Sequence, residues 1–304
     1  MTSQHPLAGV YAAAVTPLRS PDSTLDLEAV PVILNFLAAR GCHGAVLFGT
    51  TGEGPSFSPS EREVLMRAAR AHQPQLPGFR LIAGTGTPSL SETIELTKLA
   101  FDLGYEAALL VPPYYFRKAT DDGLFAWFSE VINKAVPSDK YILGYHFPNV
   151  VGIGFSIELL ARLKDTFPRQ FAGVKDSSHD VEFARSLGEK FGSDLVALSG
   201  TDTYLKMAME NKAAGCVTAP ANLISPDLRE VWDFMNAGKD VSEAQERVNI
   251  QRHILEKYPP FPPTIKALLH RLHGLPRWAV KPPLEAISAE LEEKVVSEFE
   301  ALLV

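Results

Sequence analysis

The apolar run FAGV leads directly into Lys175, and Asp176, Ser177 and Ser178 follow at once. Lysine is rarely fully buried unless it is paired or put to use. Read alone, a lysine at a strand end is most simply one that extends its ammonium into water. The chemical alternative is specific. Burial disfavours the charged form of an amine, and a neutral amine attacks a ketone to give a Schiff base. Tyr145 ends another apolar run, YILGY, 30 residues earlier, which is the length of one βαβ repeat. That spacing puts a lysine and a tyrosine at the ends of neighbouring strands, where a phenol can shuttle protons. An aromatic core position is the plainer reading of Tyr145.

Four loops could add binding groups. GTTGEG, residues 49–54, combines glycines that let backbone N–H groups face an anion with the hydroxyls of Thr50 and Thr51. No Lys-Ser/Thr pair follows Gly54, so it is not a P-loop, and a small carboxylate suits it better than a triphosphate. GTGTPS (84–89) is similar but reads as a loop and helix cap. PPYYF (112–116) offers Tyr114 and Tyr115 for packing, an interface or function. SGTD (199–202) could supply Asp202 and backbone groups to substrate hydroxyls, though Asp202 is equally suited to cap the following helix. Metal and triad chemistry have no support. The eight histidines lack ligand spacing, and there is no G-x-S-x-G elbow. His146 falls on the strand face opposite Tyr145 and reads as packed.

These candidates need a scaffold. Eight short apolar runs recur, at 10–15, 45–48, 81–83, 107–111, 141–145, 171–174, 195–198 and 216–219. Amphipathic helical stretches separate them, two opening with Ser58–Pro59–Glu61 and Ser89–Glu92 cap signatures. Continuously apolar strands alternating with helices imply a parallel sheet covered by helices, and eight units imply a (β/α)8 TIM barrel. A doubly wound open sheet is the structural rival. Strand signals stop after Asn222, so residues 1–222 read as the barrel and 223–304 as a helical extension packed on it.

The chain of 304 residues is 46% hydrophobic and 21% charged, as expected of a globular protein with a large core. Its net charge of −7 and lack of a basic run argue against nucleic acid or anionic membranes as partners. There is no apolar run of membrane-spanning length and no signal-peptide pattern, and Cys42 and Cys216 read as free thiols, so a cytoplasmic location is expected.

In this order, FGTTGEG, PPYYF, GYHFPNVVG, GVKDSS, SGTD and GCVTAPAN resemble the dihydrodipicolinate synthase/N-acetylneuraminate lyase family of class I aldolases. Together with the helical tail they cover nearly the whole chain. The resemblance implies a TIM barrel with a C-terminal helical extension, a homotetramer built as a dimer of dimers, and no metal or other cofactor beyond the covalent Schiff base. It implies that Lys175 captures pyruvate or another 2-oxo acid, Tyr145 transfers protons, and Thr50 with Thr51 binds the carboxylate and joins the hydroxyl relay. Tyr115, or in second place Tyr114, would complete that relay from a neighbouring subunit. Gly49, Ser177, Gly200, Asp202 and Val217 would line the pocket.

One position departs from the family pattern. Dihydrodipicolinate synthases usually carry an arginine after the tyrosine to hold the second substrate's carboxylate, and here Val150 takes its place. The resemblance then favours cleavage or formation of a 2-keto-3-deoxy sugar acid over 4-hydroxy-tetrahydrodipicolinate synthesis. The same Schiff base would also serve a family dehydratase of 2-keto-3-deoxy acids. A non-catalytic 2-oxo-acid sensor is the rival from another functional class.

Overall fold

The computed structural model describes residues 5–302. Its strands are β1 (Gly9–Ala13), β2 (Gly44–Leu47), β3 (Arg80–Gly84), β4 (Ala107–Leu110), β5 (Tyr141–His146), β6 (Phe171–Asp176), β7 (Val196–Ser199) and β8 (Gly215–Thr218). They follow sequence order around a closed barrel. This is the expected (β/α)8 TIM barrel with helices after the last strand. Nearly every strand residue is buried, which is why the strands read as unbroken apolar runs rather than alternating ones. Strand ends fall within two residues of the sequence reading, and β6 continues through Lys175 to Asp176.

Helix starts follow local chemistry. Ser58 caps the helix Pro59–His72 in a complete capping box, its side chain accepting from the Glu61 N–H while Glu61 returns to the Ser58 N–H. The second signature forms only half a box. Ser89 accepts from the Glu92 N–H, but its own N–H donates to Thr87 Oγ1 at 3.2 Å instead of to the Glu92 carboxylate.

By contact the described residues form two compact units, one of residues up to Gly9 with 80–217, the other of 10–79 with those from Thr218 onward. The first is organised around Phe128, Ile142, Phe155, Leu160, Phe171 and Val174. In the second, the helices Ala221–Asn236, Ser242–Glu256, Phe261–His273 and Ala289–Glu300 supply most of the C-terminal part. The first of these is kinked at Ile224, ahead of Pro226. The amide of Asn222 ties its start to β1, donating to Ala13 O at 2.8 Å and accepting from the Val15 N–H. Each unit also holds one buried cysteine that forms no disulfide with a described residue, Cys216 in the first and Cys42 in the second. Burial pushes the Cys42 thiol up to about 12.

Candidate active site

β5 and β6 pair in parallel with Tyr145 opposite Lys175. The side chains therefore share a face at the C-terminal ends of the strands, where (β/α)8 enzymes place their chemistry. Lys175 is 4% exposed, and its Nζ lies 3.9 Å from the centroid of the Tyr145 ring. It forms no ion pair with any described residue. Tyr145 is held in turn by Phe147, stacked at 5.4 Å and 20°.

The next residue along each strand faces the other way. His146 stacks on Phe183 at 4.1 Å, and its Nδ1 accepts from the Phe155 N–H at 2.9 Å. Burial lowers its pKa to about 4, so it sits in the fold as a neutral imidazole, packed as its strand position predicts. Asp176 likewise leaves the Lys175 face, and burial raises its carboxyl above the ordinary range.

Beyond β6 the chain stays tied to its neighbours. The Ser177 N–H donates to His146 O at 2.8 Å, and the Gly200 N–H donates to Asp176 O at 2.6 Å. Position 200 has room only for glycine, because a Cβ there would stand 1.8 Å from Ser177 Oγ. Lys175, Tyr145, Ser177 and Gly200 thus come together on one set of strand ends. Asp202 and Val217 are fully buried on the adjoining elements. Asp202 opens a short 3-10 turn whose N-cap is Thr201, so it does not cap that turn itself.

Tyr114 is half-buried, whereas Tyr115 is 77% exposed and stacks edge-on against Phe116 at 5.3 Å. The same surface loop holds a residue that spacing did not single out. The stem of Arg117 lies over Gly152, where a Cβ would be 2.6 Å from Arg117 Cδ. Arg117 is exposed and forms no ion pair with any described residue. Val150, on the helical turn Pro148–Val151, is 55% exposed.

The 49–54 loop, in the other unit, has a different construction. Thr51 and Gly49 are buried and Thr50 is exposed. The N–H groups of Glu53 and Gly54 donate back to Thr50 O and Gly49 O, so these two are used within the loop. Thr16 Oγ1 donates to Gly52 O at 2.7 Å, and the Arg62 guanidinium donates to Gly54 O at 2.6 Å. Glu53 is 2% exposed and pairs with Lys266, which is 1% exposed, at 2.5 Å. Burial pulls the Lys266 ammonium below the ordinary lysine range, and Glu53 opposes that shift. Sequence reading saw the glycines and threonines of this loop but not the pair, since nothing local links positions 213 residues apart. Among the described residues no cluster of three or more His, Cys, Asp or Glu could hold a metal ion, and no helix is long and apolar enough to cross a membrane.

Fold and strand-end residues together define a class: parallel (β/α)8 barrels with a buried lysine near the end of the sixth strand. Within it, the chain belongs to the Dihydrodipicolinate synthetase family, whose sequence profile it matches over residues 6–302. It is similar to an "Uncharacterized DapA-like lyase" of Chloroflexus aurantiacus, 34% identical over 295 residues and covering 97% of each chain. The 4-hydroxy-tetrahydrodipicolinate synthase of Cellvibrio japonicus is 30% identical, over 95% of this chain and 97% of that one. Among solved structures, dihydrodipicolinate synthase of Agrobacterium tumefaciens matches with a TM-score of 0.87 at 32% identity, covering 97% of this chain and 99% of that one. Sialic acid aldolase of Ruminococcus gnavus shares the fold, with a TM-score of 0.89 at 20% identity, covering 99% of this chain and 98% of that one.

Proposed function

We propose that this protein is a class I aldolase-type lyase that joins pyruvate to an aldehyde, or reverses that reaction, through a Schiff base on Lys175. The observation that carries the reading is a buried lysine with no counter-ion among the described residues, laid on the ring of its register partner Tyr145. In the condensing direction Lys175 Nζ bonds to C2 of pyruvate, and the keto oxygen leaves as water after protonation. Loss of a proton from C3 gives an enamine, whose carbon attacks the aldehyde. The new alkoxide takes up a proton, and hydrolysis releases the product and the amine. Each proton transfer needs a positioned donor or acceptor, which is the role of the Tyr145 phenol.

Thr50 and Thr51 bind the 2-oxo-acid carboxylate and extend the relay, with Gly49 shaping their loop. Ser177, Gly200, Asp202 and Val217 line the rest of the pocket. The exposure of Tyr115 supports a role in a neighbouring subunit's site, within a cytoplasmic homotetramer arranged as a dimer of dimers. No metal or other cofactor takes part. The finer assignment is a 2-keto-3-deoxy sugar acid, since Val150 offers no cation and Asp202 and Ser177 offer partners for hydroxyl groups.

A second reading, an acceptor with its own carboxylate such as aspartate semialdehyde, draws on Arg117, a cation beside Gly152 with no ion-pair partner among the described residues. Two relatives carrying the synthase name support it as well.

Borohydride added with pyruvate should inactivate the protein and leave a reduced adduct on Lys175, with no adduct in Lys175→Ala and no effect of a chelator. Activity that survives Lys175→Ala and needs a divalent ion would end the Schiff-base assignment. Dilution to monomer should abolish activity along with assembly. Full activity in a demonstrated monomer would remove Tyr115 from the mechanism.

A further inference from the structure

The C-terminal part of the chain reaches the 49–54 loop through one carboxylate. Both oxygens of Glu53 are engaged, Oε1 by Lys266 Nζ at 2.5 Å and Oε2 by the Lys281 N–H at 2.7 Å. Lys266 directs a second donor to Ala279 O at 2.6 Å. The helix carrying Lys266 and the irregular segment that follows it are thereby closed into one ring of contacts around Glu53. That segment is pinned again where the Ala279 N–H donates to Leu18 O and Lys281 Nζ pairs with Glu61.

Two features of Glu53 are unusual together. Its backbone sits at φ +57, in the left-handed region that residues with a side chain seldom occupy. Its charge is also buried, an arrangement that a packed apolar pair would often match or better for stability alone. Strained backbone persists where the surroundings over-determine it, and such places gather at functional sites. The flanking glycines leave the loop no slack. A Cβ at Gly52 would lie 2.8 Å from Ala14 O, and one at Gly54 would lie 2.1 Å from Phe48 O. A shift of Glu53 therefore moves Thr51, two residues away, rather than being absorbed.

We propose that Glu53 is a positioning residue for the carboxylate-binding threonines, and that Lys266 and the Ala279–Lys281 segment act through it as part of the active-site apparatus. The inference rests on the reading of Thr50 and Thr51 given above. It assigns the helix Phe261–His273 and the segment after it a part in substrate recognition as well as in packing.

The test compares Glu53→Gln, which keeps the shape and an acceptor for the Lys281 N–H but removes the charge. Borohydride trapping of Lys175 is measured against increasing pyruvate and against pyruvamide, which forms the same imine without a carboxylate. Glu53→Gln should raise the half-saturating pyruvate concentration by about tenfold or more and leave the maximal trapping rate within about threefold. The pyruvamide response should be unchanged. Where the single variant does not fold, the Glu53→Gln/Lys266→Met double variant removes both charges at similar volume and should show the same pattern. A lower melting temperature with an unchanged pyruvate dependence overturns the proposal, as does an equal loss for pyruvate and pyruvamide. Thr51→Val separates the two levels. If it leaves pyruvate saturation unaltered, the threonine reading fails; if it weakens pyruvate while Glu53→Gln does not, only the positioning role fails.

Discussion

Lys175 and Tyr145 are placed by backbone register, whereas the 49–54 loop is placed by side chains that arrive from elsewhere in the chain. On the strand ends, one ladder decides which residues face each other, and alternation sends Lys175 and Tyr145 one way and His146 and Asp176 the other. In the loop, Thr16, Arg62, Lys266 and the Lys281 backbone each hold a single point. A ladder tolerates the loss of any one side chain because its partners are backbone groups. A loop held by individual charges and hydroxyls does not. Substitutions on strand ends should therefore damage chemistry and leave geometry, while substitutions under the loop should damage binding through geometry.

The sharpest test of that difference is Tyr145→Phe. Removing one hydroxyl from a positioned proton relay should slow turnover by about 10²–10⁴, while the borohydride adduct on Lys175 still forms. Loss of the adduct together with turnover would mean that Tyr145 also positions Lys175, which would blur the contrast between the two regions.

Next in size is the choice of acceptor, which lies with the residues that follow β5. If Val150 governs, glyceraldehyde should exceed aspartate semialdehyde by at least about a hundredfold in kcat/KM, the worth of a missing charge-assisted contact. Val150→Arg should then narrow the gap. If the exposed Arg117 stands in for that cation, aspartate semialdehyde should be the better acceptor, and Arg117→Ala should reverse the order. Measuring both acceptors on the parent protein and the two variants decides between these outcomes.

A smaller effect is expected from Gly54→Ala. The added Cβ meets the Phe48 carbonyl rather than a movable side chain, so the loop itself must shift. Destabilisation of about 1–3 kcal/mol, typical of overpacking, should come with weaker pyruvate binding and unaltered maximal turnover. Denaturant midpoints and pyruvate saturation measured on the same preparation check it. A loss of maximal turnover alone would contradict the comparison.

The smallest effect concerns the rear of the strand ends. His146 has a native pKa near 4 because of burial, against about 6.5 in the unfolded chain. Between those values the unfolded chain binds more protons than the native one, so stability is full above about pH 6.5 and falls as pH drops toward 4. From pH 7 to pH 5 this single group should remove on the order of 1–2 kcal/mol. His146→Leu should flatten that part of the profile in urea titrations, and an unchanged slope would show that other groups govern it.

The placement of the strand-end residues of the candidate site was legible because its information is local and periodic. An apolar run running into Lys175, and another ending at Tyr145 one repeat earlier, suffice to place both once the barrel is accepted. Ser58 and Glu61 could be read in the same way, since a capping box spans four residues. Lys266 could not. It lies in a helix of mixed composition, and only the assembled structure brings it to Glu53. Arg117 was missed for a related reason, because a glycine 35 positions away gives no sign of which stem crosses it. The half-formed box at Ser89 shows the reverse error, a local signature in which Thr87 Oγ1 takes the Ser89 N–H that the box assigns to Glu92.

The two cysteines offer a way to time motions of the protein. Cys42 and Cys216 are both buried and lie in different compact units. Thiol reagents attack the thiolate, which burial makes scarce at Cys42 by moving its pKa to about 12. Labelling in the native state therefore has to wait for a local opening, and each thiol becomes a clock for its own unit. Cys42→Ser and Cys216→Ser variants would isolate the clocks. The ratio of labelling rates, with and without pyruvate, would report which half of the molecule a bound substrate quietens.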